Sequence, residues 1–312
     1  MPSKDGGRAF RIFSAPPASR SGPLQASGAP HPPATRDEVA AWLRASPELE
    51  QFTRDCYLDL PTVGAAERFL GSDEWNATLQ LIEREPGCAL DLGSGHGIAS
   101  YALSRCGWHV AAVEPSPSDA TGTGAIRTLA TEANLPIAVV QASGESLPFD
   151  CSSFDLVYSR QVLHHVADRK RLCSEIWRVL RPSGTYLACA EHVVSNESQR
   201  RRFLEEHSTN RFTCDENALK VHDYQFAIKD AGFTDLRTLR SFDSPINYAP
   251  YSQPELRLEL QKRFSGLPGA APWSRVAFSD RLYPALLQTL SWIDRRPGRP
   301  FTFLARKPRS ST

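Results

Sequence analysis

The stretch Cys88-Ala89-Leu90-Asp91-Leu92-Gly93-Ser94-Gly95-His96-Gly97 constrains the fold more than any other part of the chain. An apolar run of strand length ends in three glycines at alternate positions, and residues 98–106 continue with helical spacing. A buried strand, a tight turn and a helix, in that order, open a parallel sheet covered by helices. Glycine in such a turn supplies positive φ and leaves the backbone bare for close approach of a ligand. In open sheets of this kind ligands sit beyond the carboxyl ends of the strands, where this turn falls.

The chain downstream repeats the alternation of short apolar runs with amphipathic segments. Strands are expected at 88–92, 109–113, 137–141, 154–158, 185–190, 233–239 and 300–305. Helices are expected at 98–106, at 170–180 with a stop at Arg181-Pro182-Ser183-Gly184, at 197–206, and at 215–231 with a stop at Gly232. The fold class is therefore α/β: a Rossmann-like, doubly wound sheet of about seven strands. Residues 1–35, rich in Pro, Gly and Ser, read as a disordered leader, 36–85 as an N-terminal helical cover, and 86–193 as the ligand-binding core. Residues 194–312 read as the C-terminal half of the fold, in which 243–298, with helices near 254–264 and 281–294, form an insertion between the last two strands on the substrate side.

Composition narrows the function classes. The 312 residues are 41% hydrophobic and 23% charged with a formal net charge of +1, so the chain has material for a sizeable core and no broad field for nucleic acid or anionic membrane. Seven cysteines are scattered and never form a CxxC pair, which points away from a disulfide framework or zinc ribbon and towards a reducing, cytoplasmic setting. No apolar run approaches the roughly 18 residues of a membrane span, and the start MPSKDGGRAF lacks the apolar core of a signal peptide.

Alternate glycines alone are weak evidence, arising by chance in roughly one in ten chains of this length. The acids around them sharpen the signal. Asp91 lies two residues before the first glycine, and Glu114, at the end of the next strand, follows 23 positions later, where a carboxylate can accept both hydroxyls of a ribose. A nicotinamide site is the competitor, but its GxGxxG spacing is not met. The third glycine comes one position early at Gly97, and Asp91 suits a cationic ligand better than a pyrophosphate.

The runs ALDLGSGHG, VEPSP, GESLPFDCSSFDLVYSRQVLHHV and RVLRPSG occur in the order and spacing of the class I S-adenosylmethionine-dependent methyltransferases. Over residues 85–193 the chain resembles the subgroup that includes ubiquinone-biosynthesis and small-molecule methyltransferases. The resemblance implies S-adenosylmethionine as cofactor, with Asp91, Gly93, Ser94, Gly95 and Gly97 around its methionine part and Glu114 with Pro115 at its ribose. The family's adenine-contacting aspartate is replaced by Ser143, so adenine recognition is expected to rest on Ser143, Gly144 and Glu145 and their backbone. Ser159 and Gln161, after the fourth strand, complete the expected cofactor set.

Methyl transfer is an in-line displacement on a sulfonium, so the enzyme has to align an acceptor and, for a hydroxyl, remove a proton. His165, His164, Glu191 and His192 all follow strands at the carboxyl edge and are the candidate catalytic residues. Packing or capping of the next helix is the alternative for the paired histidines. The pair, with an acid after the fifth strand, resembles some glycoside O-methyltransferases, which implies an oxygen acceptor on a sugar, lipid-linked or natural-product molecule. His and carboxylate can also ligate a divalent metal, but no metal-site spacing is present and none is assigned. His207 and His222 read as solvated or helix-packing, and Tyr224, Tyr248 and Trp177 as core before pocket. A base-methylating motif after the fourth strand is absent, which points to a small-molecule acceptor, no nucleic acid or membrane partner, and a monomer or homodimer. A protein that keeps the fold and cofactor pocket for another reaction, or for binding, is the alternative function.

Overall fold

The computed structural model describes residues 35–60, 62–206, 217–266 and 271–309. The expected leader, apart from Thr35, and His207 lie outside the described residues. Among the described residues four α-helices precede the sheet: α1 (Arg36–Ala45), α2 (Glu50–Asp55), α3 (Thr62–Leu70) and α4 (Asp73–Ile82). Thr35 and Glu38 start α1 with a reciprocal capping box, and the Ser72 hydroxyl accepts the Trp75 N–H to start α4.

The sheet follows as β1 (Cys88–Leu92), β2 (His109–Val113), β3 (Ala138–Val140), β4 (Phe154–Arg160), β5 (Leu180–Val193), β6 (Thr234–Leu239) and β7 (Arg299–Arg306). Its order is β3-β2-β1-β4-β5-β7-β6, with β1 to β5 parallel and β7 antiparallel to both β5 and β6. The seven-strand α/β fold read from the sequence is the one observed. Helices α5 (Ile98–Arg105), α6 (Thr123–Glu132), α7 (Arg169–Val179), α8 (Glu197–Glu206) and α9 (Val221–Asp230) alternate with the strands. Between β6 and β7 lie α10 (Gln253–Ser265), α11 (Ala271–Ala277) and α12 (Tyr283–Ile293).

Element lengths depart from the sequence expectation where tertiary pairing decides. The edge strand β3 pairs only with β2 and keeps three residues of the expected five. Strand β5 is longer, because Leu180 already pairs with Phe154 and pairing with β7 carries on to Val193. The Arg181-Pro182-Ser183-Gly184 stop thus falls inside β5, at a register shift with Ser183 at φ 63°. The helix expected from residue 215 starts at Val221, since Leu219 bridges to Val193 in extended form.

Two apolar layers enclose the sheet. Ala89, Tyr158 and Leu187 face Phe69, Trp75, Tyr101 and Leu103 on one side, while Leu90, Val157, Tyr186 and Phe303 face Leu172, Ile176 and Tyr224 on the other. Each buried Leu, Ile, Val or Phe among them contributes about 1.5–3 kcal/mol. A third cluster, Phe242, Tyr248, Leu256, Leu260, Phe278, Tyr283 and Leu287, holds the helices between β6 and β7. Tyr224 and Tyr248 are therefore core residues. Among the described residues no helix is long and apolar enough to cross a membrane.

Candidate active site

The turn after β1 is built around two buried carboxylates. Asp91, 2% exposed, accepts the Ser100 hydroxyl of α5 at 2.5 Å through Oδ2. Burial pushes its pKa up to about 6. Glu114, 5% exposed, directly follows β2 and accepts the Gly95 N–H at 3.0 Å through Oε2 and the Ser116 N–H at 3.2 Å through Oε1. Burial raises its pKa too. The Ser94 hydroxyl donates to the Asp91 carbonyl at 2.7 Å and closes the turn.

Two glycines show why the turn needs that residue. A Cβ on Gly93 would stand 2.6 Å from Val162 Cγ2, so the loop after β4 presses directly on the turn. Gly95, at φ +56°, is different: a Cβ there has no protein neighbour within 4 Å. Its backbone therefore borders open space beside the Glu114 carboxylate that takes its N–H.

In the loop after β3 the Ser143 hydroxyl accepts the Glu145 N–H at 3.3 Å, and the Glu145 carboxylate accepts the Asp168 N–H at 2.8 Å, tying this loop to the start of α7. Gly144 packs against Leu172, and the Pro115 carbonyl accepts the Gln141 amide at 3.2 Å. Gln161 follows β4 at φ 59°, with its N–H on the Cys189 carbonyl at 2.9 Å. Ser159 lies on a different face from Asp91. Leu92 and Ser159 are register partners, as are Asp91 and Tyr158, so the Ser159 side chain projects to the sheet face opposite Asp91. There it is fully buried beside the Tyr186 hydroxyl at 3.3 Å.

The four candidate catalytic residues converge. Glu191, fully buried after the β5 bulge, accepts the backbone N–H groups of Val162 and Leu163 at 3.0 Å each and of His164 at 3.2 Å, together with the His164 Nδ1–H at 2.7 Å. These bonds occupy both oxygens of the carboxylate and tie the loop after β4 to the end of β5. The His164 ring centroid lies 4.2 Å from that of His165 and 4.8 Å from that of His192. His192 donates Nδ1–H to the Gly298 carbonyl at 3.0 Å, and its own carbonyl accepts the Tyr224 hydroxyl at 2.7 Å. His164 and His192 are buried and His165 is half-buried, which makes His165 the most accessible ring of the three. His222 is exposed and pairs with Asp223.

The N-terminal helices reach the same edge through contacts that sequence reading missed. Asp37 of α1 accepts the hydroxyls of Ser118 and Thr121 at 2.6 Å each, in the loop that follows Glu114. His96, inside the glycine turn, donates Nε2–H to the Tyr57 carbonyl at 2.8 Å, and burial pushes its pKa down to about 4, so it stays neutral. Arg160, at the end of β4, holds Glu74 of α4 through two bonds of 2.6 and 3.1 Å. An arginine closing an apolar strand and an acid in the first turn of a helix were the only available signals, and they lie 86 residues apart.

Residues 90–188, which contain the turn, both carboxylates and the first two histidines, match the family described as methyltransferase domain. Over those residues the chain is similar to a methyltransferase domain. Among the chain's relatives, a dimethylglycine N-methyltransferase of Parasynechococcus marenigrum is 32% identical over 162 residues, covering 48% of this chain and 57% of that protein. A sarcosine/dimethylglycine N-methyltransferase of Halorhodospira halochloris is 29% identical over 191 residues, covering 58% and 62%. The chain thus spans about half the length of the curated relatives it matches. A solved structure of phosphoethanolamine N-methyltransferase 2 from Haemonchus contortus aligns with a TM-score of 0.49 at 20% identity, over 86% of this chain and 60% of that one.

Proposed function

We propose that this chain transfers the methyl group of S-adenosylmethionine to a nitrogen of a small-molecule acceptor. The observation that carries the reading is the open backbone of Gly95, bonded to buried Glu114 in the turn that follows buried Asp91. An ionised Asp91 in that position is costly without a cation, and the ammonium of an amino-acid moiety would relieve the cost. Glu114 accepts only hydrogen bonds when ionised, which suits a pair of ribose hydroxyls. Ser143, Gly144 and Glu145 would border the adenine, and Pro115 and Gln161 the rest of the pocket. When bound, the cofactor supplies an electrophilic methyl group on a sulfonium.

The chain's own residues would align the acceptor and manage its proton. An amine is protonated near neutral pH and has no lone pair to attack with until it loses a proton. His165 is the residue we assign to receive it. The Glu191–His164 pair positions the ring behind it, and His192 lines the other side of His164. The two curated relatives named above are N-methyltransferases, which supports nitrogen over the oxygen expected from the His-His pair. A hydroxyl acceptor would use the same imidazole to take its proton and is the second reading.

Calorimetric titration with S-adenosylmethionine and S-adenosylhomocysteine, with NADH as control, tests the cofactor. Production of S-adenosylhomocysteine with sarcosine, dimethylglycine and a panel of hydroxyl acceptors then tests the reaction. Binding of NADH alone would overturn the reading. Cofactor binding without turnover on any acceptor would favour a protein that uses this pocket for another reaction or for binding.

A further inference from the structure

Arg299, the first residue of β7, is only 7% exposed. Other partly or fully buried cations are matched. Arg160 holds Glu74 and Arg296 holds Asp294, each through two charged bonds. Lys307 sits on the carbonyls of Trp177 and Leu180 at the C-terminal end of α7, where the helix dipole favours positive charge. Arg299 gives one Nη to the Arg296 carbonyl at 3.1 Å and the other to the Ser195 hydroxyl at 3.0 Å, and lies over the Phe301 ring. Both acceptors are neutral, and among the described residues no carboxylate pairs with it. Asp294, the acid whose charge reaches it, is already taken by Arg296, while Arg295 and Arg296 add repulsion. Two of the five N–H donors of a guanidinium are thus engaged, and a buried cation without a counter-ion is costly.

Its position gives that cost a purpose. Strand β7 runs antiparallel to β5, with Arg299 opposite Val193 and Pro300 opposite His192. The preceding residue, Gly298, supplies the carbonyl that orients the His192 ring. Arg299 therefore stands at the same carboxyl edge of the sheet as the histidine cluster.

We propose that Arg299 anchors a subsite for an anionic group of the methyl acceptor, a carboxylate or phosphate monoester that takes the remaining donors of its fork; this rests on the methyltransferase reading of the same edge. A planar guanidinium matches either oxyanion through two parallel bonds, and the arginines on the adjoining turn raise the local positive potential.

The test is thermal unfolding of the full chain and of Arg299→Met at constant ionic strength, with sodium acetate or inorganic phosphate replacing chloride. Acetate or phosphate is expected to raise the wild-type Tm above its chloride value, and the anion with the larger effect names the acceptor's acidic group. Arg299→Met should bind that anion about tenfold more weakly or worse, since two charged bonds are lost. Equal wild-type Tm in all three salts, or an unchanged anion response in Arg299→Met, would overturn the proposal. Arg299→Lys, which keeps the charge and loses the fork, decides the matter if the methionine variant does not fold: weakened anion binding supports the subsite and unchanged binding overturns it. Titration with S-adenosylmethionine on the same samples separates the two readings. Cofactor binding without an anion response removes only the subsite, and an anion response without cofactor binding removes the methyltransferase reading.

Discussion

Arg160 grips both carboxylate oxygens of Glu74, and this single pair ties the end of β4 to the N-terminal helix α4. The rings of Tyr57 and Phe69 lie under the same guanidinium, at 5.9 and 5.8 Å to their centroids. Glu74 is 3% exposed, so removing its partner strands a buried charge. Arg160→Met is expected to destabilise the protein by about 3–5 kcal/mol in urea unfolding, whereas Arg160→Met combined with Glu74→Leu recovers most of the loss. Equal stability of the single variant and the wild type would show that the pair is solvated.

The raised pKa of Asp91 sets a pH dependence. A buried carboxyl with a pKa of about 6, against 3.8 when unperturbed, binds its proton more tightly folded than unfolded. The resulting penalty is absent below the unperturbed value, grows between the two and is complete above about 6. In the ligand-free protein stability should therefore decline as pH rises through this window, and Asp91→Asn should flatten the decline. Cofactor affinity should run the other way, since a cation needs the ionised form: it should weaken as pH falls below about 6 in the wild type. Titrations with S-adenosylmethionine from pH 5 to 8 read this directly, and a flat wild-type profile would remove Asp91 from the site.

Gly95→Ala separates backbone strain from ligand contact. No protein atom meets the added methyl, so the folding cost is that of a left-handed residue, about 1–2 kcal/mol. Affinity for S-adenosylmethionine should fall far more than this, because the methyl enters the open space, and Gly95→Val should abolish binding while the chain still folds. Retained affinity in a folded Gly95→Val protein would move the cofactor elsewhere.

The histidine cluster predicts a division of labour. His165→Ala should lower kcat by about 10²- to 10⁴-fold with cofactor affinity unchanged. Glu191→Gln should lower kcat and stability together, since an amide cannot accept the three backbone N–H groups and the His164 ring N–H at once, and each unmet buried donor costs about 1–3 kcal/mol. A Glu191→Gln protein of wild-type stability and altered pH profile alone would return Glu191 to the chemistry.

What could be read in the sequence was local. Strand, glycine turn and helix follow one another without a break from Cys88 to Arg105, and the acid ending the next strand needs only the parallel connection to reach the turn. Side-chain direction at a strand end needs register, which the sequence does not carry. Ser159 is expected at the cofactor from its place after the fourth strand, and pairing with Leu92 turns its side chain to the face opposite Asp91. The role of Glu191 depends on partners 27 to 29 residues away that only the β4–β5 pairing brings together. Contacts such as Asp37 with Ser118 and Thr121, or Arg299 with Ser195, join segments more distant still, and no periodicity announces them.

Strand β7 lies between β5 and β6 although it follows both in the chain. During synthesis β6 therefore emerges with no neighbour to pair with, and β5 keeps an open edge until Arg299–Arg306 arrive. At ordinary elongation rates the roughly 60 residues in between take several seconds, during which two unpaired edges are exposed to other nascent chains. The helices between β6 and β7 carry an apolar cluster of their own, so they can begin to collapse in that interval and hold the late strand close to its slot.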